Sequence, residues 1–406
     1  MKKTIALTAL LALLLCILAG CGGNAAGTPV ETPQETAAEA FVPQAPEAEG
    51  EETGQPASSS TGEALTDEEK NYELGEPDFD LGYAKFAPDT RVMTVNGIEY
   101  DWNSYFDALR RSIYSLYLYY GASSLDTQWS NGAIAGDIAR EWATAQIKQI
   151  GMVYSKAEEL GIRLTEEDIA AIDDEIETYL GYFNGDRDAM FESLGVSEDY
   201  YRLEAGADYL NTKLFEHFFG EGGKLLPEAD AVAYVSDNDM YYAKHILFKT
   251  VDDTGTPLGE DAVAAAKAAA EQALETLRAA GAAQLPAKFD ELMNSLSGDQ
   301  GLKNYPDGYF FKEGEMVEEF FEAAAALEEG GLSDIVRGPY GYHIIYRPVL
   351  NAGAVYGVDA YGEPYTLRYH VASELYAAMQ DEWYEALDVT FDGGFETLDV
   401  IGLFEG

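Results

Sequence analysis

Apolar residues recur every three to four positions over about 102–120, 129–160, 165–180 and 197–219, the stripe of amphipathic helices. Ahead of them, Val92-Met93-Thr94-Val95 and Ile98-Glu99-Tyr100 flank Asn96-Gly97, a pair that favours a type I′ hairpin turn. Thr165-Glu166-Glu167-Asp168 resembles a capping box, and Gly161 is placed to close the preceding helix. A helical block opened by a hairpin is therefore predicted for residues 86–238. The run Tyr114 to Tyr120 reads as helix core, with an aromatic surface for unfolded chains as the alternative.

The pattern changes over 239–349. Tyr241 to Lys249 reads as a strand, an Ala-rich helix follows over about 260–280, and a shorter one over about 287–296. A glycine-bounded loop leads to an aromatic strand at Tyr309-Phe310-Phe311, then to a helix over about 316–328. Ser333 to Arg337 and Gly341 to Arg347 form a closing hairpin turned at Gly338-Pro339-Tyr340. The predicted order is βααβαββ, an α+β unit with a small antiparallel sheet. Residues 350–406 carry a helix over about 366–387 and a hairpin over 389–398. Below roughly 60 residues a lone core is marginal. This segment is therefore expected to pack on the helical block, which makes 239–349 an insertion.

The N-terminal residues have another grammar. Lys2 and Lys3 precede an apolar run from Ile5 to Leu18, the layout of a secretory signal and short for a spanning helix. Leu18-Ala19-Gly20-Cys21-Gly22 resembles the bacterial lipoprotein cleavage box, which implies residues 1–20 as signal and an acyl anchor on Cys21. Residues 21–85 are rich in Ala, Glu, Pro, Thr and Ser and read as a disordered acidic tether.

Charge and composition then narrow the chemistry. A formal net charge of −48 repels nucleic-acid phosphates and anionic headgroups. No nucleic-acid partner is expected. Cys16 and Cys21 are the two cysteines, so a disulfide framework, a cysteine zinc site and a cysteine nucleophile are excluded from the folded part. Phosphate loops, dinucleotide fingerprints and His-Glu-x-x-His are missing from the sequence, and neither cofactor nor metal is signalled. His245 and His343 fall in the first and last strands of the 239–349 unit, alternating with apolar neighbours. Antiparallel pairing of those strands would bring the two rings together, although two such histidines can equally be satisfied core residues.

Five segments resemble, in order, the parvulin family of peptidyl-prolyl isomerases. They are Lys244-His245-Ile246-Leu247, Ser297-Gly298-Asp299, Gly308-Tyr309-Phe310 with Lys312 to Met316, Phe320, and Tyr340 to Ile345. With the lipoprotein signal and helical flanks, the layout resembles PrsA-type extracytoplasmic foldases of Gram-positive bacteria. The resemblance implies a parvulin domain inserted between segments of a mainly helical chaperone-like domain. It implies His245, Asp299 and His343 as catalytic residues, and Phe310, Met316, Phe320 and Tyr340 as the proline-binding side of the site. Asp307 stands where the family usually has leucine, and Tyr340 where it has a small hydroxyl residue. The implied partners are unfolded or partly folded exported proteins with X-Pro bonds, met at the outer face of the cytoplasmic membrane. The alternative is a non-catalytic holdase with a degenerate parvulin domain. The oligomeric state, homodimer included, stays open.

Overall fold

The computed structural model describes residues 77–405. The signal, Cys21 and most of the tether lie outside the described residues. The chain divides into two compact units, residues 1–214 with 377–406, and residues 215–376. Among the described residues no helix is long and apolar enough to cross a membrane.

The first unit opens with α1 (Phe79–Tyr83), then β1 (Arg91–Val95) and β2 (Ile98–Asp101). Asn96 and Gly97 both hold left-handed φ angles, 48° and 85°, which is the requirement of a type I′ turn. Helices α2 (Trp102–Tyr119), α3 (Ala135–Glu159), α4 (Glu166–Tyr182), α5 (Arg187–Leu194) and α6 (Glu198–Phe219) follow. Trp102, Tyr105, Leu109, Ile113 and Leu116 form the buried stripe of α2, and Ile147, Ile150 and Val153 that of α3. The capping box at Thr165 and Asp168 is present. Tyr117 is buried, whereas Leu118, Tyr119 and Tyr120 are exposed.

The expected helix over 129–160 begins only at Ala135, because Gln128 and Ile134 bridge as extended backbone. Helix α5 was not anticipated; eight residues between turns give too short a stripe to read. The hairpin expected at 389–398 does not form. Strand β10 (Val389–Phe391) pairs antiparallel with β1, and Phe395–Thr397 is a single 3₁₀ turn after left-handed Gly394. A short helix, α12 (Val400–Leu403), ends the unit.

The second unit holds α7 (Glu228–Asp237), β3 (Tyr241–Lys249), α8 (Glu260–Ala280), α9 (Leu285–Leu296), β4 (Tyr309–Phe311) and α10 (Glu318–Ala325). Strands β5 (Gly331–Leu332), β6 (Val336–Arg337) and β7 (Gly341–Arg347) follow. Beyond them lie a hairpin, β8 (Val355–Val358) and β9 (Pro364–Thr366), and helix α11 (Leu367–Glu385), which runs past the unit's last residue. The main sheet runs β4-β3-β7-β5, with β6 also on β7, and all pairs are antiparallel. Gly341 is required at the start of β7: a Cβ there would lie 2.1 Å from the Phe248 carbonyl oxygen.

One face of the sheet packs Ile246, Phe248, Ile344 and Tyr346 against Leu274 and Leu277 of α8 and Phe289 and Met293 of α9. A second cluster joins Ala231 and Val235 of α7 to Ala352, Leu367 and Val371. The unit therefore extends beyond 239–349 on both sides. The cause is aromatic: Phe310 stacks on Tyr356 at 4.8 Å, and Tyr356 stacks on His370 at 3.7 Å.

Candidate active site

The register of the two central strands places the histidines. His343 pairs with Leu247 and Ile345 with His245, so both rings project from one face at neighbouring positions. The ring centroids are 5.3 Å apart at 12°, and the two Nδ1 atoms are 3.1 Å apart. On the far side of His245, Nε2 lies 2.8 Å from Asp299 Oδ2.

Asp299 sits in the loop after α9. Leu247 N donates to Ser297 Oγ at 3.1 Å and Gly298 N to Leu247 O at 2.7 Å, tying that loop to β3. The carboxylate also accepts from Gly301 N at 3.0 Å and from the Tyr309 hydroxyl at 2.5 Å. Burial pushes the Asp299 pKa up, but the hydrogen bonds from His245, Tyr309 and Gly301 outweigh it and hold the carboxyl at about 2. It is an anion at neutral pH. Burial, with the His245 ring beside it, takes His343 down to about 4. Burial and the Asp299 charge raise Tyr309 far above its ordinary value, so it stays a donor.

These charges order the protons. In the tautomer that donates His245 Nε2–H to the ionised Asp299, His245 Nδ1 carries the lone pair. The 3.1 Å contact then takes its proton from His343 Nδ1, and His343 Nε2 is left bare. That nitrogen is buried without a hydrogen-bond partner among the described residues. The row from Tyr309 through Asp299 and His245 thus ends in one nitrogen without a partner among the described residues.

The wall beside this row is apolar. Phe320 of α10 presents its edge to His245 at 5.2 Å and to His343 at 5.8 Å, and packs on Phe311 at 5.5 Å. Ala243, Ala324 and Ile345 complete the buried cluster, with Met316 and Val317 packed against it.

The structure brings His245, Asp299, His343, Met316 and Phe320 together. Phe310 is not among them. It pairs with Tyr242, stacks on that ring at 4.5 Å, and belongs to the opposite face, so Phe311 takes the place the sequence reading gave it. Tyr340 lies exposed in the β6–β7 turn, where its carbonyl accepts from Thr250 N, and it is not part of the wall. Asp307 is also on the far face, where it accepts from the Tyr242 hydroxyl at 3.0 Å and pairs with buried Lys244. Tyr309 and Phe311 were missed as site residues. Alternation from His245 through Ala243 to their partners Tyr309 and Phe311 was the signal, but it needs the strand register.

Comparison with known proteins agrees with this geometry. Residues 245–348 match the rotamase family model, described as a PPIC-type PPIASE domain. The chain is 44% identical over 61 residues to the foldase protein PrsA of Bacillus subtilis, covering 15% of this chain and 21% of the relative. It is 25% identical over 221 residues to PrsA of Oceanobacillus iheyensis, covering 52% of this chain and 64% of the relative. Among solved structures, PrsA from Bacillus subtilis aligns at a TM-score of 0.29 and 20% identity, covering 64% of this chain and 90% of that one. The chain spans only 21% and 64% of the length of these two curated relatives. The segment 245–348 therefore matches the PPIC-type rotamase model, within a chain similar to the PrsA foldases.

Proposed function

We propose that this chain is a peptidyl-prolyl cis-trans isomerase that assists the folding of exported proteins. The observation that carries the reading is the polar row ending at His343 Nε2, set against the Phe320–Phe311 wall. An X-Pro bond isomerises over a barrier of roughly 18–20 kcal/mol because rotation removes amide resonance. At the twisted geometry the proline nitrogen regains a lone pair and the carbonyl oxygen loses negative charge. Phe320, Phe311 and Met316 would hold the proline ring while the preceding residue turns. His343 Nε2 would meet the changed amide, with Asp299 fixing the proton order behind it. Interactions that strengthen only at the twisted geometry lower the barrier without a covalent intermediate.

The clients would be unfolded or partly folded exported chains, approached at the outer face of the cytoplasmic membrane through an acyl anchor on Cys21. A Cys21→Ser chain that still partitions with membranes would contradict the anchor. The isomerase reading is tested by NMR exchange on capped X-Pro peptides with the intact chain. Acceleration over the spontaneous rate, reduced in His245→Ala and Met316→Ala, is expected. A folded chain that leaves the spontaneous rate unchanged would overturn it.

A further inference from the structure

The first unit contains a cavity of about 190 Å³ between α2, α3, α4 and α6, far more room than one water needs. Its polar lining is unbalanced. Arg111 is the one cation among the described lining residues, against the carboxylates of Glu175, Glu204 and Asp208. Arg111 and Glu204 form an ion pair at the inner end, with the guanidinium also over the Tyr200 ring at 5.3 Å. That pairing leaves Glu175 and Asp208 with no ion pair of their own among the described residues. Glu175 accepts only a neutral donor there, the Tyr209 hydroxyl at 2.9 Å.

A second, separate sign of a missing occupant is Arg111 Nη2. It is buried and has no hydrogen-bond partner among the described residues. An unmade bond of this kind costs on the order of 1–3 kcal/mol, so such atoms usually meet water or a ligand. Burial, then the nearby charges of Glu204 and Glu175, push the Asp208 carboxyl up to about 8, so near neutral pH it is largely protonated and ionises as a cation arrives beside it, while Glu175 supplies the standing charge. The cavity holds more negative charge than its own residues offset. At its mouth Glu175 and Tyr209 also border a shallow depression lined by Asp174, Tyr179 and Tyr182, with the Tyr182 side chain well exposed.

We propose that this cavity is a binding site for an arginine residue of an extended, unfolded polypeptide. The guanidinium would lie between the Glu175 and Asp208 carboxylates and against the Tyr201 and Tyr209 rings, a planar fork for which arginine suits better than lysine. A main-chain carbonyl of the same peptide would accept from Arg111 Nη2. The tyrosine-lined depression would carry the flanking residues. The site lies outside the histidine site and does not rest on the isomerase reading, because its test reads binding alone.

The test uses the intact chain and two capped peptides, Gly-Gly-Arg-Gly-Gly and its counterpart with citrulline, the neutral urea of nearly the same shape. Calorimetry should give the arginine peptide an affinity about tenfold higher than the citrulline peptide. Asp208→Asn and Glu175→Gln should each bring the ratio to about twofold or less, while Glu329→Gln, which removes one exposed charge elsewhere, should leave it unchanged. Turnover of a proline peptide should be the same in all three variants. Equal affinity for the two peptides would overturn the proposal. So would an equal fall in all three variants, since the −48 net charge would then explain the preference. If circular dichroism shows that Asp208→Asn does not fold, Glu175→Gln decides the outcome alone.

Discussion

The two faces of the central sheet are built from the same two strands and treat polar groups in opposite ways. On one face, Lys244 is buried and meets both Asp290, at 2.8 Å, and Asp307, while the Tyr242 hydroxyl donates to Asp307. Charge and hydrogen bonds there are closed. On the other face, Asp299, His245 and His343 form a row as well ordered as the first, yet it ends in an unengaged nitrogen beside an aromatic wall. Burying polar groups is tolerated where they are paired. Where pairing stops, one buried nitrogen is left without a partner among the described residues.

Four changes test that contrast, beginning with the most damaging. Phe320→Ala removes the ring that closes the site face, and urea unfolding should show a loss of about 3–5 kcal/mol, the usual range for a buried phenylalanine. Lys244→Ala strands two carboxylates on the closed face. Because Asp290 and Asp307 both reach water, the loss should be about 2 kcal/mol, below the range for a fully buried pair, and turnover by the folded protein should be retained. Wild-type turnover lost with a folded Lys244→Ala chain would mean that the faces are not independent.

The third prediction is a pH response with a fixed sign. His343 is held at about 4 against an ordinary 6.5, so between those values the folded form binds fewer protons than the unfolded form. His370, also lowered to about 4 by burial, adds the same sign. Their contribution is complete above pH 6.5 and is lost as pH falls towards 4. Asp208 has the opposite sign, since a carboxyl raised to about 8 costs stability as pH rises from 3.8. All four histidines lie in the second unit and all four tryptophans in the first, so histidine NMR and tryptophan fluorescence report on different units. The His343 ring signals should titrate near pH 4; a midpoint near 6.5 would contradict the buried, neutral ring. The smallest effect is expected from Tyr340→Ala, exposed in its turn, within about 0.5 kcal/mol in stability and with turnover unchanged.

Much of this was legible in the sequence because it depends on local period. The helix over 260–280 is found at Glu260–Ala280, and the Asn96-Gly97 hairpin is where the turn chemistry puts it. The facing of His245 and His343 followed from alternation within two strands. What was not legible depended on register or on distant partners. Tyr309, Phe310 and Phe311 are all aromatic, so hydropathy cannot say which point towards the histidines; pairing of Tyr241 with Phe311 decides it. Asp307 read only as a departure from the family's leucine because its partner Lys244, 63 residues away, could not be assigned from spacing. Helix α7 and the β8–β9 hairpin are short, and they belong to the second unit through rings that stack across long sequence separations.

The most direct test of the account compares two carboxylates on opposite faces of one sheet. Proline-peptide exchange should be measured by NMR for the intact chain, for Asp299→Asn and for Asp307→Asn. Asp299→Asn is expected to lower kcat/KM about tenfold or more, equivalent to about 1.4 kcal/mol of barrier, while Asp307→Asn stays within about twofold of wild type. Full activity in Asp299→Asn, or a loss confined to Asp307→Asn, would contradict it.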